Sequence, residues 1–180
     1  MSTNRSYPIR RIFVVTLVAA LALGVALPAA ASPTTATVEV TGGSLSISAP
    51  ADAGSLGTTA NTVAGTTISG PLGEVQVDDA RSAAAGSGWV ASVISTAFTP
   101  PTGTAIAASA VGYTVGPIVK VGTATYTAND PADLTGASPA VTATEITGDN
   151  SATWTPTINV AVPGGMAANV YSATITHSVL

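Results

Sequence analysis

The chain has 180 residues, 46% of them hydrophobic and 8% charged, with nine Asp/Glu against five Lys/Arg and no cysteine. An acidic balance makes nucleic acid and anionic membranes poor partners, and the lack of cysteine leaves stability to burial and hydrogen bonding. So high an apolar content with so little charge also excludes a disordered tail.

In chain order, residues 1–11 carry Arg5, Arg10 and Arg11, and residues 12–27 (IFVVTLVAALALGVAL) are uncharged and almost wholly apolar. Ala29 and Ala31 then stand at the small-residue positions of an A-x-A cleavage site. The apolar run of 16 residues is shorter than the ~20 that cross a bilayer. Residues 1–31 are therefore predicted to be a helical secretory signal peptide. No cysteine follows it, so lipoprotein attachment is excluded. Removing these residues leaves 149, enough for one domain, with only Arg81 and Lys120 against all nine acids, a formal charge of −7.

Residues 32–43 are expected to form a leader and a first short strand, the strand-forming stretch 38–49 being broken at Gly42-Gly43. Residues 44–180 form the single domain. Residues 50–64, rich in Gly, Ala and Thr, read as a long loop, and 63–69 as a strand ended by Gly70-Pro71. Residues 73–79 (GEVQVDD) alternate as a strand, 81–88 (RSAAAGSG) read as a loop, and 89–95 (WVASVIS) as a central strand that is apolar on both faces. Short strands are predicted at 113–115, 118–121, 123–127 and 141–146, and a longer one at 154–162. In the closing YSATITHSVL, Tyr171, Ala173, Ile175, His177 and Val179 fall on one side and Ser172, Thr174, Thr176 and Ser178 on the other. Many short strands with no helical period after residue 31 predict an all-β protein, an antiparallel β-sandwich.

Catalytic chemistry has little to work with. Histidine occurs once, cysteine never, and no G-x-S-x-G, H-E-x-x-H or P-loop motif is present, so an enzyme is not expected and no cofactor is implied. Asp78 and Asp79 are neighbours, and on a strand their carboxylates point to opposite faces. Asn129, Asp130 and Asp133 offer oxygen ligands but lack the order of a dedicated calcium loop. Trp89 and Trp154 could stack on sugar rings, yet both lie in phase with apolar rows and read as core residues. His177, on the apolar row of the last strand, reads as a ring filling core or near-core space.

Residues 72–98 (LGEVQVDDARSAAAGSGWVASVISTAF) resemble the first motif region of the WxL domain of Gram-positive cell-surface proteins. There a strand ends in an aspartate and an arginine, a Gly-containing loop follows, and a tryptophan opens the next strand. Asp79, Arg81, Gly88 and Trp89 occupy those positions here. Residues 151–180 resemble the end of that domain, a strand, a V-P-x-G turn and a tyrosine-led strand. The two W-x-L positions read Trp89-Val90-Ala91 and His177-Ser178-Val179, so the likeness is to a divergent branch.

The resemblance implies an immunoglobulin-like sandwich, secreted and non-enzymatic, held non-covalently on peptidoglycan or another cell-wall glycan, with surface proteins carrying a WxL-interacting domain as further partners. Trp89, Trp154, Asp79, Arg81 and His177 are the candidate binding residues, each also open to a structural reading. With no L-P-x-T-G sorting signal and no C-terminal hydrophobic tail, covalent wall anchoring is not expected. The alternative is a freely secreted, adhesin-like or pilus-like subunit that assembles by strand exchange or edge pairing.

Overall fold

The structure, a computed structural model, describes residues 36–60 and 62–180. The signal peptide expected over 1–31 lies outside the described residues. Residues 39–180 form one compact unit.

In chain order the elements are β1 (Leu45–Ser48), β2 (Thr66–Pro71), β3 (Val75–Ser95), a 3-10 turn (Ala108–Ala110), β4 (Val111–Thr114), β5 (Ile118–Ala128), β6 (Ser138–Trp154), β7 (Thr157–Val162) and β8 (Ile175–Val179). They build two antiparallel sheets. The larger runs β1-β3-β6-β5, with β8 also paired to β3, and the smaller runs β2-β7-β4. β3 is long enough to hold β1 along residues 76–79 and β8 along 91–95, while β6 pairs with both stretches. Apolar residues of both sheets, among them Val75, Val77, Val93, Val111, Ile158 and Val160, fill the space between them. This is the expected all-β sandwich.

The strands differ from the sequence reading mainly in where they break. Residues 81–88, expected as a loop, continue β3 and stay paired to β6 through register shifts at Asp79/Ala83, Ala83/Ser87 and Ser87/Trp89. Small residues and the left-handed backbone of Ser82 and Gly86 let the strand absorb extra residues as bulges instead of leaving the sheet. Residues 118–121 and 123–127 are one strand, with a register shift across Gly122 whose extra residues lie on β6, and 141–146 is the middle of the 17-residue β6. Conversely, the strand expected over 154–162 is two. The chain leaves the larger sheet after Trp154, passes through Thr155-Pro156, and enters the smaller sheet at Thr157. Pro156 has no N–H to continue a ladder, and its carbonyl instead accepts the Leu72 N–H at 2.9 Å. Residues 36–44 form no strand, and Val38 and Val40 stand 88% and 84% exposed.

Gly122 has a left-handed backbone (φ 83°), and a Cβ there would overlap the Asp149 carbonyl. Both effects penalise any side chain. Gly122→Ala should destabilise the fold by about 1–3 kcal/mol, read as a lower urea midpoint at unchanged slope.

Candidate functional site

Asp79 and Asn150 are register partners on β3 and β6, both facing inward. The Asp79 side chain is fully buried, and its carboxylate takes two bonds from Arg81, Nε to Oδ1 at 2.8 Å and Nη2 to Oδ2 at 2.9 Å. The Arg81 backbone N–H adds a third bond to Oδ1 at 3.2 Å, and Asn150 Nδ2 a fourth to Oδ2 at 3.1 Å. Residues two apart on a strand share a face, which is why Arg81, at the rim of the sandwich, can reach back to Asp79. The amide of Asn150 then passes the chain of bonds on. Its Oδ1 accepts from Trp89 Nε1 at 3.0 Å and from the Tyr126 hydroxyl at 3.2 Å. Trp89 and Tyr126 also touch, ring centroids 5.7 Å apart, and Lys120 Nζ lies 5.6 Å over the Tyr126 ring.

The Arg81 hydrogen bond holds the Asp79 carboxyl below its usual range, against the opposing effect of burial. A depressed native pKa stabilises the fold above the unfolded carboxylate value, and that contribution is lost as pH falls through the native value. Burial, with the Asp79 charge as a lesser cause, raises the Tyr126 phenol.

A second set of polar groups joins the two sheets. Trp154 Nε1, at the end of β6, donates to the Tyr113 hydroxyl of β4 at 2.8 Å, and that hydroxyl lies 3.1 Å from His177 Nε2 on β8. An indole N–H only donates, so the hydroxyl accepts there and has its own proton to give to His177. This assignment makes the imidazole neutral, with its proton on Nδ1. Burial lowers the His177 pKa to about 4, consistent with a neutral ring, and burial raises Tyr113.

Trp89 and Trp154 are each 2% exposed, so neither indole face is open for a sugar ring. Asp79, Arg81 and Trp89 meet in one network, and Trp154 and His177 in another. Asn150, Tyr126 and Tyr113 complete the networks and were not anticipated. Asn150 lies in phase with Ala152 and Trp154, two and four residues on, and that phase is the signal for its inward amide. Asp78, on the opposite face from Asp79, is exposed and accepts from Gln76 Nε2 at 2.8 Å. The Asp130 and Asp133 carboxylates bond the Val115 and Thr135 backbone N–H groups, both at 2.7 Å. Among the described residues no group of three or more His, Asp or Glu side chains could hold a metal ion.

The solvent face of the larger sheet is mostly hydroxyl and amide. Register places Ser48, Gln76, Thr153 and Val119 in one cross-strand row and Ser46, Asp78, Ser151 and Val121 in the next. Farther along, Thr125 faces Thr144 and Thr127 faces Thr142. Two shallow concave spaces lie on the surface, one of about 320 Å³ beside Tyr113, Asp130 and Asn159 and one of about 270 Å³ beside Asp78, Val121 and Asp149. No protein-family model matches the chain, and no curated protein matches it.

Two predictions separate these networks. Arg81→Met strands a buried carboxylate and should cost about 3–5 kcal/mol. Asp79→Asn leaves a guanidinium that is 35% exposed and can stay hydrated, so it should cost less, about 1–2 kcal/mol. Chemical denaturation of both variants gives the order. For His177, a lowered native pKa means the unfolded chain binds the extra proton first. Stability is then unaffected above about pH 6.5 and falls as pH drops from there towards about 4. In His177→Phe that limb of the pH–stability curve should flatten.

Proposed function

We propose that this protein is a secreted, non-enzymatic module of WxL type that associates non-covalently with the peptidoglycan of a cell wall. The observation that carries this reading is the broad face of the larger sheet, where Ser46, Ser48, Gln76, Ser151 and Thr153 offer donors and acceptors side by side, with Asp78 as the one carboxylate in those two rows. Strand spacing repeats these groups at ~4.8 Å across the sheet and about twice the residue rise along it. Such a grid suits the hydroxyl and amide groups of an extended glycan. The likeness of the segments around Asp79–Trp89 and Trp154–His177 to WxL motifs supports the same reading. In that reading the two tryptophans act through the fold, as the core that keeps the face flat, and surface proteins with a WxL-interacting domain are the further partners.

An acidic domain gains nothing from anionic wall polymers, so attraction must come from neutral hydrogen bonds. A second reading, a freely secreted adhesin-like or pilus-like subunit, is favoured by the outer edge of β5, which has no strand partner among the described residues.

The purified protein should be retained on isolated peptidoglycan, with the bound fraction nearly constant over about a tenfold range of salt. Ser48→Glu with Thr153→Glu, both across from Gln76 and not from an acid, should abolish retention without lowering the melting temperature. A protein that stays in the supernatant, or whose binding collapses as salt rises, overturns the proposal.

A further inference from the structure

Residues 37–41 read Thr-Val-Glu-Val-Thr, a period-2 pattern of β-branched residues that forms no strand in its own chain. If extended, the segment would show Val38 and Val40 on one face and Glu39 on the other. Both valines are more than four-fifths exposed.

A matching pattern lies on the free edge of the larger sheet. β5 ends the strand order and pairs only with β6 among the described residues. Its Val119 and Val121 are 66% and 63% exposed and flank Lys120. Alternate N–H and C=O groups of such an edge have no ladder partner and form a template for one more strand. Arg81 is committed to Asp79, the one ion pair among the described residues, which leaves Lys120 without a carboxylate.

We propose that residues 37–41 of one copy add as a strand to the β5 edge of a second copy, with Glu39 opposite Lys120 and Val38 and Val40 beside Val119 and Val121. The V-E-V and V-K-V patterns are each symmetric about the charge, so the match holds in either strand direction. Edge addition supplies backbone hydrogen bonds, the valines bury apolar surface, and the ion pair sets the register.

The chain cannot satisfy its own edge. The Gly43 N–H bonds the Ala80 carbonyl and Gly42 lies against the Arg81 carbonyl, which pins residues 42–43 beside β3 on the side that β1 occupies. From there to the position beyond β5 the sheet order spans four strand spacings, about 19 Å. Glu39 is three residues from Gly42 and can extend only about 11 Å. The occupant is therefore another copy. A donor at one side of the sheet and an acceptor at the other make a head-to-tail contact, which propagates unless its rotation closes a ring.

Because the chain has no cysteine, introduced thiols report this contact directly. Glu39→Cys protein mixed with Lys120→Cys protein under mild oxidation should give a disulfide-linked heterodimer, and the double variant a ladder of multimers. Glu39→Cys mixed with Thr176→Cys, placed on β8, should give background only. Lys120→Glu should weaken self-association roughly fivefold, the effect of turning a cross-strand ion pair into a like-charge pair, and Glu39→Lys in the same chain should restore it. Both residues are exposed, so the fold should persist in each variant, with only the small loss of the Lys120 contact over the Tyr126 ring. Cross-linking at the control level, or a protein that sediments as a monomer at every concentration, overturns the inference. Either result leaves peptidoglycan retention as a separate question, because the inference does not rest on wall binding.

Discussion

A carboxylate stays in a protein interior only when its oxygens are supplied with donors, and the packing of this sandwich follows from how Asp79 meets that condition. Arg81 supplies three bonds and Asn150 a fourth. Because Asn150 stands directly across the ladder from Asp79, the bond between them fixes the register of β3 on β6. A one-residue slip would turn the amide to solvent and leave the carboxylate short of a donor. Residues 80–88 then bulge away and return. Trp89, at the end of that excursion, bonds the same Asn150 through its indole N–H. One amide therefore ties both ends of the bulged segment, and the largest side chain of β3 is placed by a polar contact as much as by its apolar area. No buried side-chain polar atom among the described residues lacks a partner. A network satisfied to that degree specifies one arrangement, whereas a half-satisfied one would cost more than an apolar core.

The bonds from Trp154 to Tyr113 and on to His177 solve a different problem. Shape complementarity alone allows two sheets to slide by small amounts. A hydroxyl that accepts from β6 and donates to β8 sets the height of β4 between them. The histidine serves as an acceptor, which only the neutral ring can do. Desolvation keeps it neutral. The position that resembles the second W-x-L tryptophan thus holds an aromatic ring of smaller size, in edge contact with Tyr113 at 5.6 Å between centroids.

Strand phase was legible in the sequence where the count of residues was regular. The alternation of Tyr171 to Val179 is present as read, with odd-numbered residues inward and even-numbered ones exposed, and the burial of Val75, Val77, Trp89 and Trp154 follows the same rule. What a period of two cannot show is an extra residue. Between Asp79 and Trp89 β3 advances ten residues while β6 advances seven, so a paired strand looks like a loop of Ser, Ala and Gly. The passage from β6 to β7 fails in the opposite direction. Trp154, Ile158 and Val160 keep phase across Thr155-Pro156 because both sheets face one core, so two strands look like one. The inward amide of Asn150 was legible by its phase with Trp154, but a lone asparagine carries no chemical motif that would draw attention to it.

With so few charges, their disposition shapes the surface. Arg81 is paired with Asp79 at the rim, Lys120 sits at one edge, and the broad face of the larger sheet carries Asp78 among its hydroxyls and amides. The two proposals meet on that face. A strand added beyond β5 would lie beside Val119 and Val121 in the plane of the sheet and would widen the polar grid without covering it. Each added copy would bring its own face at a fixed spacing. A weak, salt-insensitive contact with a repeating glycan would then be multiplied by the number of linked faces, since each binding event after the first is intramolecular. Weak attachment per domain is no obstacle in such an array. If the proposed glycan contact draws on neutral hydrogen bonds, assembly along the sheet edge would supply its avidity, with no need for the net positive charge that this chain lacks.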